Sequence, residues 1–117
     1  MAIENGQLTD LTELLVVPAG KTYAITSIMV CNTYSPNDAN PETHDASFDM
    51  HFVKDGQSRD IQITGVIREL TIPAGETFTF DSEKIVLETG DKIAFVAEPD
   101  IGSSLTNLSA TVSYLEV

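Results

Sequence analysis

Ala46-Ser47-Phe48-Asp49-Met50-His51-Phe52 sets an apolar side chain at every second position, with Ser, Asp and His between them. A period of two is what a strand with one face on a core requires, because successive side chains of an extended chain point to opposite sides. The same alternation returns in Leu108, Ala110, Val112 and Tyr114 against Ser109, Thr111 and Ser113, and in Ile61, Ile63 and Ile67 against Gln62, Thr64 and Arg68. Ile93, Phe95 and Ala97 mark a fourth strand, and Phe78 and Phe80 a fifth. The β-branched, apolar stretches around Val16-Val17, Tyr23 to Cys31 and Ile85 to Leu87 bring the total to about eight.

The punctuation between these runs is turn chemistry. Pro18-Ala19-Gly20, Asp55-Gly56, Pro73-Ala74-Gly75 and Gly90-Asp91 each supply a fixed φ or a residue tolerant of positive φ. No apolar period of 3.6 persists for three turns. Only Gln7 to Leu15, with Leu8, Leu11, Leu14 and Leu15 on one side, has the pattern of a short helical turn. The fold class expected is all-β, an antiparallel β-sandwich or jelly roll of about eight strands. Phe48, Met50, Phe52, Ile61, Ile63, Phe78, Phe80, Ile93, Phe95, Val112 and Tyr114 are the expected core.

Length and charge bound the rest. A chain of 117 residues, 42% hydrophobic, is one domain with a core that needs no disulfide staple. Residues 1–8, too polar to add much to that core, are expected to be a flexible N-terminal arm, with the sandwich domain spanning 9–117 and a long polar loop at 32–45. Val17-Pro18-Ala19-Gly20-Lys21-Thr22-Tyr23 is echoed by Ile72-Pro73-Ala74-Gly75-Glu76-Thr77-Phe78, the pattern of two related halves. The opening Met-Ala-Ile-Glu-Asn-Gly-Gln has no basic patch before an apolar run, and no stretch approaches the roughly 18 apolar residues that span a bilayer. Neither a signal peptide nor a membrane segment is expected. With 18 acidic against 6 basic residues the net charge is −12, which repels phosphate backbones and anionic lipid. Nucleic acid and membranes are therefore not expected partners.

Catalytic chemistry is not spelled out. Cys31 is the single cysteine, set in the apolar run Met29-Val30-Cys31, where a thiol acts as a small hydrophobe. There is no Gly-x-Ser-x-Gly elbow and no glycine-rich phosphate loop with its lysine. The cupin pattern needs a histidine after the Pro-Ala-Gly turn and a His-x-His pair, and neither is present. Asp38, Asn40 and Glu42 recur at every second position, with Asp45 behind them, as oxygen ligands of a calcium loop do. The glycine that such a loop needs at its sixth position is replaced by Thr43, and Pro41 stiffens the middle, so a solvated acidic loop is the expectation. His44 with Asp49 and His51 is the only transition-metal grouping, and a lone loop histidine is usually solvated. No cofactor is expected. Sugar-binding sandwiches use exposed aromatic platforms, and a chain without Trp offers only Tyr34 for that role.

Leu14-Leu15-Val16-Val17-Pro18-Ala19-Gly20-Lys21-Thr22, Val30-Cys31-Asn32-Thr33, Val53-Lys54-Asp55-Gly56, Ile72-Pro73-Ala74-Gly75-Glu76-Thr77, Val86 to Ile93 and Ala110 to Val117 together resemble the small virion proteins of tailed bacteriophages, along nearly the whole chain. The resemblance implies a non-enzymatic β-sandwich or jelly-roll module, made in the host cytoplasm and carried in the virion. Its expected role is capsid decoration (cement), stabilising the head shell by contact with the major capsid protein or other virion proteins. The alternative is a tail, neck or fibre component that joins virion parts or touches the host surface, with a glycan-binding module third. The strand Tyr23 to Cys31 is apolar at successive positions, so both faces need cover. Tyr23, Ile25, Ile28 and Val30 are the expected interface of a homo-oligomer, a trimer by preference.

Overall fold

The computed structural model describes residues 2–34, 45–97 and 105–117, the side chains of 81–84 and 105–106 apart. Every regular element among them is a strand: β1 (Ala2–Thr9), β2 (Thr12–Val16), β3 (Thr22–Asn32), β4 (Ala46–Val53), β5 (Gly65–Ile72), β6 (Thr77–Glu88), β7 (Lys92–Ala97) and β8 (Leu105–Glu116). They form two four-stranded antiparallel sheets, a front sheet in the order β1-β8-β3-β6 and a back sheet in the order β2-β7-β4-β5. First pairs with last, second with seventh, third with sixth and fourth with fifth. That nesting is a long hairpin folded over on itself into a two-sheet β-sandwich.

The core lies between the sheets. Leu108, Ala110, Val112 and Tyr114 of β8 and Ile25, Ile28 and Val30 of β3 meet Phe48 and Met50 of β4 and Ile93, Phe95 and Ala97 of β7. Phe48 packs on Phe95 and Phe78 with ring centroids 6.1 and 6.3 Å apart, and Tyr23 stacks on Tyr114 at 4.4 Å. Both Pro-Ala-Gly turns do the same job, carrying the chain from the back sheet to the front one. In each, the glycine takes positive φ (77° at Gly20, 79° at Gly75) and an N–H closes onto the proline carbonyl, Lys21 on Pro18 at 3.2 Å and Glu76 on Pro73 at 3.1 Å. The residues before them, Val17 and Ile72, both point into the core.

Several expectations are corrected. Residues 2–8 are not a free arm: β1 runs along β8 from Ala2 opposite Tyr114 to Gln7 opposite Ser109, and Leu8 is fully buried. Polar residues suit this strand because Asn5 and Gln7 face outward, and Gly6 leaves room for Leu14, whose Cδ1 would lie 3.3 Å from a Cβ there. In place of a helical turn at 7–15, β1 and β2 meet at Asp10-Leu11, where Leu11 is exposed.

The doubly apolar strand resolves within the chain. Between Ile25 and Ser27 the register of β3 slips against both neighbours, so Thr26 is a bulge residue that inverts the facing of the residues after it. Ile25 before the slip and Ile28 and Val30 after it therefore all face inward, each at most 2% exposed. These three named interface residues are core, and Tyr23 is half-buried against Tyr114. The trimer expectation thus loses the residues that motivated it. Cys31, expected inside, falls on the outward side and is partly exposed.

The run 61–67 is likewise shorter as a strand than its alternation suggests. Asp60 accepts N–H bonds from Gln62 at Oδ1 and from Ile63 and Thr64 at its carbonyl, curling 60–64 into a turn. β5 begins only at Gly65, and Ile63, expected in the core, is 69% exposed.

Candidate functional site

Three surfaces have the relief or composition to act on something else. The first is a depression of about 290 Å³ on the outward side of the back sheet, lined by Ser47, Asp49, Glu69 and Thr71 with Phe48 and Val96. Arg68 and Glu69 of β5 together face Asp49 of β4, a bulge in which Glu69 takes φ 51°, the only positive φ at a non-glycine residue among those described. The Asp49 carboxylate holds this geometry by accepting the Glu69 N–H at 2.6 Å. The Ser47 and Thr71 hydroxyls bond each other at 2.9 Å. The lining therefore offers two carboxylates, one already committed to backbone, and no nucleophile with a base beside it.

The second is an apolar cleft of about 540 Å³ at the open side of the sandwich. Phe52 at the end of β4, Ile85 and Val86 of β6 and Ile63 of the β4–β5 loop form its walls, with Lys54 and Asp91 at the rim. Ile63 and Val86 (54% exposed) leave much apolar surface in water.

The same loop covers His51. The imidazole is 2% exposed, although it sits on the outward side of the back sheet, and its Nδ1 lies 2.9 Å from the Thr64 hydroxyl. Burial, then the Arg59 charge, push its pKa below the usual histidine value, against the opposing pull of Asp49 and Asp60. A histidine so enclosed serves as a fastener of the loop.

The third surface is the outward face of the front sheet. Ile3, Asn5 and Gln7 of β1, Ser109, Thr111 and Ser113 of β8, Ala24, Thr26, Ser27, Met29 and Cys31 of β3 and Thr77 and Thr79 of β6 share this side by register. These residues are uncharged, in a chain of net charge −12, and the carboxylates that the register brings to the same side, Asp81 opposite Ser27 and Glu88 opposite Thr22, both belong to the edge strand β6. The Ser113 hydroxyl bonds those of Thr26 at 2.7 Å and Ser27 at 2.8 Å, so the bulge is knitted flat. Other charges lie at the borders or beyond: the Lys21–Glu116 pair at the sheet's end and Lys92–Glu13 on the back sheet.

No protein-family model, curated protein or solved structure matches this chain.

Of the metal-loop candidates, Asp38, Asn40 and Glu42 lie outside the described residues, as does His44, and Asp45 is exposed before β4. Among the described residues, no three His, Cys, Asp or Glu side chains are grouped to hold a metal ion. Asp49 and His51 share a face of β4, but one binds the Glu69 N–H and the other the Thr64 hydroxyl. Tyr34, the one aromatic expected at a sugar site, is half-buried, and its N–H donates to Asn32 Oδ1 at 3.1 Å. No helix among the described residues is long and apolar enough to cross a membrane. The uncharged outward positions of β1, β8 and β3 were not singled out from sequence. Its trace there is that the polar positions alternating with the core residues of β8, and Thr77 and Thr79 of β6, are hydroxyls where a solvated strand normally mixes in Lys and Glu.

Proposed function

We propose that this chain is a non-enzymatic structural protein of a tailed-phage virion, most simply a decoration protein that stabilises the head shell by protein–protein contact. The observation that carries the reading is the partition of charge: a β-sandwich at −12 keeps the outward positions of β1, β8 and β3 uncharged, with Asp81 and Glu88 of the edge strand β6 at their border. Burying a charged face against a protein costs desolvation that unpaired carboxylates do not recover, whereas hydroxyls and methyls give up water cheaply. The alternation of hydroxyls with small apolar groups also suits a rigid surface meeting another rigid surface. Many such contacts, repeated over a shell, hold by avidity even when each is weak. The resemblance of the turn and strand segments to virion proteins supplies the setting, with the major capsid protein as partner.

The test is the copy number in purified particles, read by quantitative mass spectrometry and by labelling in electron micrographs. Copies in the hundreds over the head are the expected result. A few copies at one vertex would move the protein to the neck, tail or fibre, the alternative reading. Absence from washed particles would end both. A glycan-binding role has no platform among the described aromatic residues and is third; specific retention on a glycan array would revive it.

A further inference from the structure

We infer that the open flank of the sandwich takes an extended peptide from another protein, apolar at alternate positions and basic between them, which adds to the free edge of β6 as a further strand of the front sheet. This goes beyond the virion reading and concerns a different surface from the one given to the shell.

Two unmet demands lie side by side on this flank. On the opposite flank β1 turns directly into β2 at Asp10-Leu11, and Leu14 closes the space over Gly6. β5 and β6 instead are the outer strands of different sheets, and among the described residues no strand pairs with the outer edge of β6. Such an edge presents a row of N–H and C=O groups, a template for another chain. It runs through residues 77–80 and again through 85–87, on either side of the break in register against β3; beyond it the Glu88 N–H is closed by Asp91 Oδ2 at 3.0 Å. The second demand is apolar. Phe78 of β6 and Leu70 of β5 line one cleft, of about 180 Å³, and Ile85 of β6 with Phe52 of β4 and Ile63 line the larger one, of about 540 Å³. Between them Phe80 meets Phe52 edge-on, ring centroids 6.5 Å apart. Phe52, Leu70, Phe78, Phe80 and Ile85 are only half-buried, so the core is uncovered along this flank.

A peptide strand answers both demands at once, with its own N–H and C=O groups on β6 and every second side chain turned between the sheets. A small apolar molecule would fill the larger cleft and leave the backbone edge unpaired. Spacing fits the peptide. Phe78 lies opposite Val30 and Ile85 opposite Ile25, and Thr26 between them is a bulge residue. The clefts are therefore about four strand steps apart, roughly 13 Å, and an even number of steps puts the two inserted side chains on the same face of the added strand. Charge selects the chemistry of the rest. Between residues 76 and 88 stand Glu76, Asp81, Glu83 and Glu88 against Lys84 alone, and Lys54 at the rim of the larger cleft is matched by Asp91. A segment with Lys or Arg at its outward positions is drawn to this edge, whereas a second copy of this chain, at −12, brings more carboxylates to it.

The test titrates the full, isotope-labelled chain with a synthetic peptide of about seven residues that alternates Lys with Val and Ile, followed by nuclear magnetic resonance and amide hydrogen exchange. Saturable binding below about 1 mM is expected, with new protection of the β6 amides in 77–80 and 85–87. The same peptide N-methylated along the edge that meets β6, and one with Glu in place of Lys, should each bind about tenfold more weakly or worse. Ile63→Lys and Val86→Lys, at exposed positions on the wall of the larger cleft, should also weaken binding about tenfold or more, with circular dichroism unchanged. Ile3→Lys, on β1 at the opposite flank, should leave binding as it was. No binding at that concentration, equal binding of the N-methylated peptide, or protection on β1 in place of β6 would overturn the inference. So would β6 amides protected by a dimer of the chain alone, which would give the edge to a second copy, or resonance shifts confined to Phe52 and Ile63 without amide protection, which would leave a cleft for a small apolar molecule.

Discussion

Thr64 fixes the protonation of His51. Its hydroxyl donates to the Asp60 carbonyl at 3.0 Å and accepts the Asp60 N–H at 3.0 Å, so its one proton is spent and His51 Nδ1 must carry the hydrogen that bridges them. Added protons go to Nε2, in a ring that burial and Arg59 hold below its ordinary pKa. The unfolded chain, with histidine near 6.5, then takes up protons that the folded chain refuses, so stability is full above that pH and falls as pH drops below it. Comparing wild type with His51→Gln cancels the other titrations. The melting-temperature advantage of wild type at pH 7.5 should shrink toward pH 5, and an advantage that is constant with pH would refute the assignment. Ile28 gives a sharper case. At an interface position an Asp would yield a folded monomer; in a site of 0% exposure it puts a carboxyl among Leu, Val and Phe side chains. The cost, about 4 kcal/mol or more, rivals the stability of a small domain. Circular dichroism of Ile28→Asp should show an unfolded or aggregated chain, and a native spectrum would return Ile28 to the surface.

At the scale of elements, turns were the most legible feature, because left-handed glycine is a local demand. Gly20, Gly56, Gly75 and Gly90, all placed in turns from sequence, have φ between 77° and 84°. Equal dihedrals do not mean equal tolerance. A Cβ on Gly20 meets nothing within 4 Å, whereas on Gly90 it would run into the Asp55 side chain, held near by the Asp55 N–H bond to Asp91 Oδ1 at 3.0 Å. Gly20→Ala should therefore cost only the conformational penalty, about 1–2 kcal/mol, while Gly90→Ala adds an overpacking term of about 1–3 kcal/mol. Urea denaturation of the pair checks this, and equal losses would dissolve the distinction. Strand identity was legible for the same local reason at Ala46 to Phe52 and Leu108 to Tyr114. The features that were not legible depend on partners. The bulge at Thr26 is set by Ser113, far along the chain, and without it the alternation from Tyr23 to Cys31 cannot be assigned to faces. The Asp60 turn hid behind the spacing of Ile61 and Ile63, which mimics a strand. The uncharged patch over β1, β8 and β3 becomes visible only once these strands are known to be neighbours.

At the scale of the molecule, the pairing of the first strand with the last makes the two ends of the chain depend on each other. β8 lies between β1 and β3, so its ladder is complete only while β1 is in place. Deleting residues 2–8 would uncover the β8 edge from Ser109 to Tyr114 and remove Leu8, which is 0% exposed, from beneath the sheet. Loss of a buried leucine side chain alone costs about 2–5 kcal/mol, and the lost strand pairing adds to it. Taken at a few degrees per kcal/mol for a domain of this size, the truncated protein should melt about 10 °C or more below the full chain. The newly exposed edge presents free N–H and C=O groups and should also make the truncated chain prone to aggregate, although the remaining negative charge opposes this and added salt would remove that protection. A dispensable arm would behave otherwise, its deletion leaving the melting curve and solubility where they were. Scanning calorimetry of the two chains at low and at high salt decides between them, and coincident transitions would mean that β1 contributes nothing to the fold.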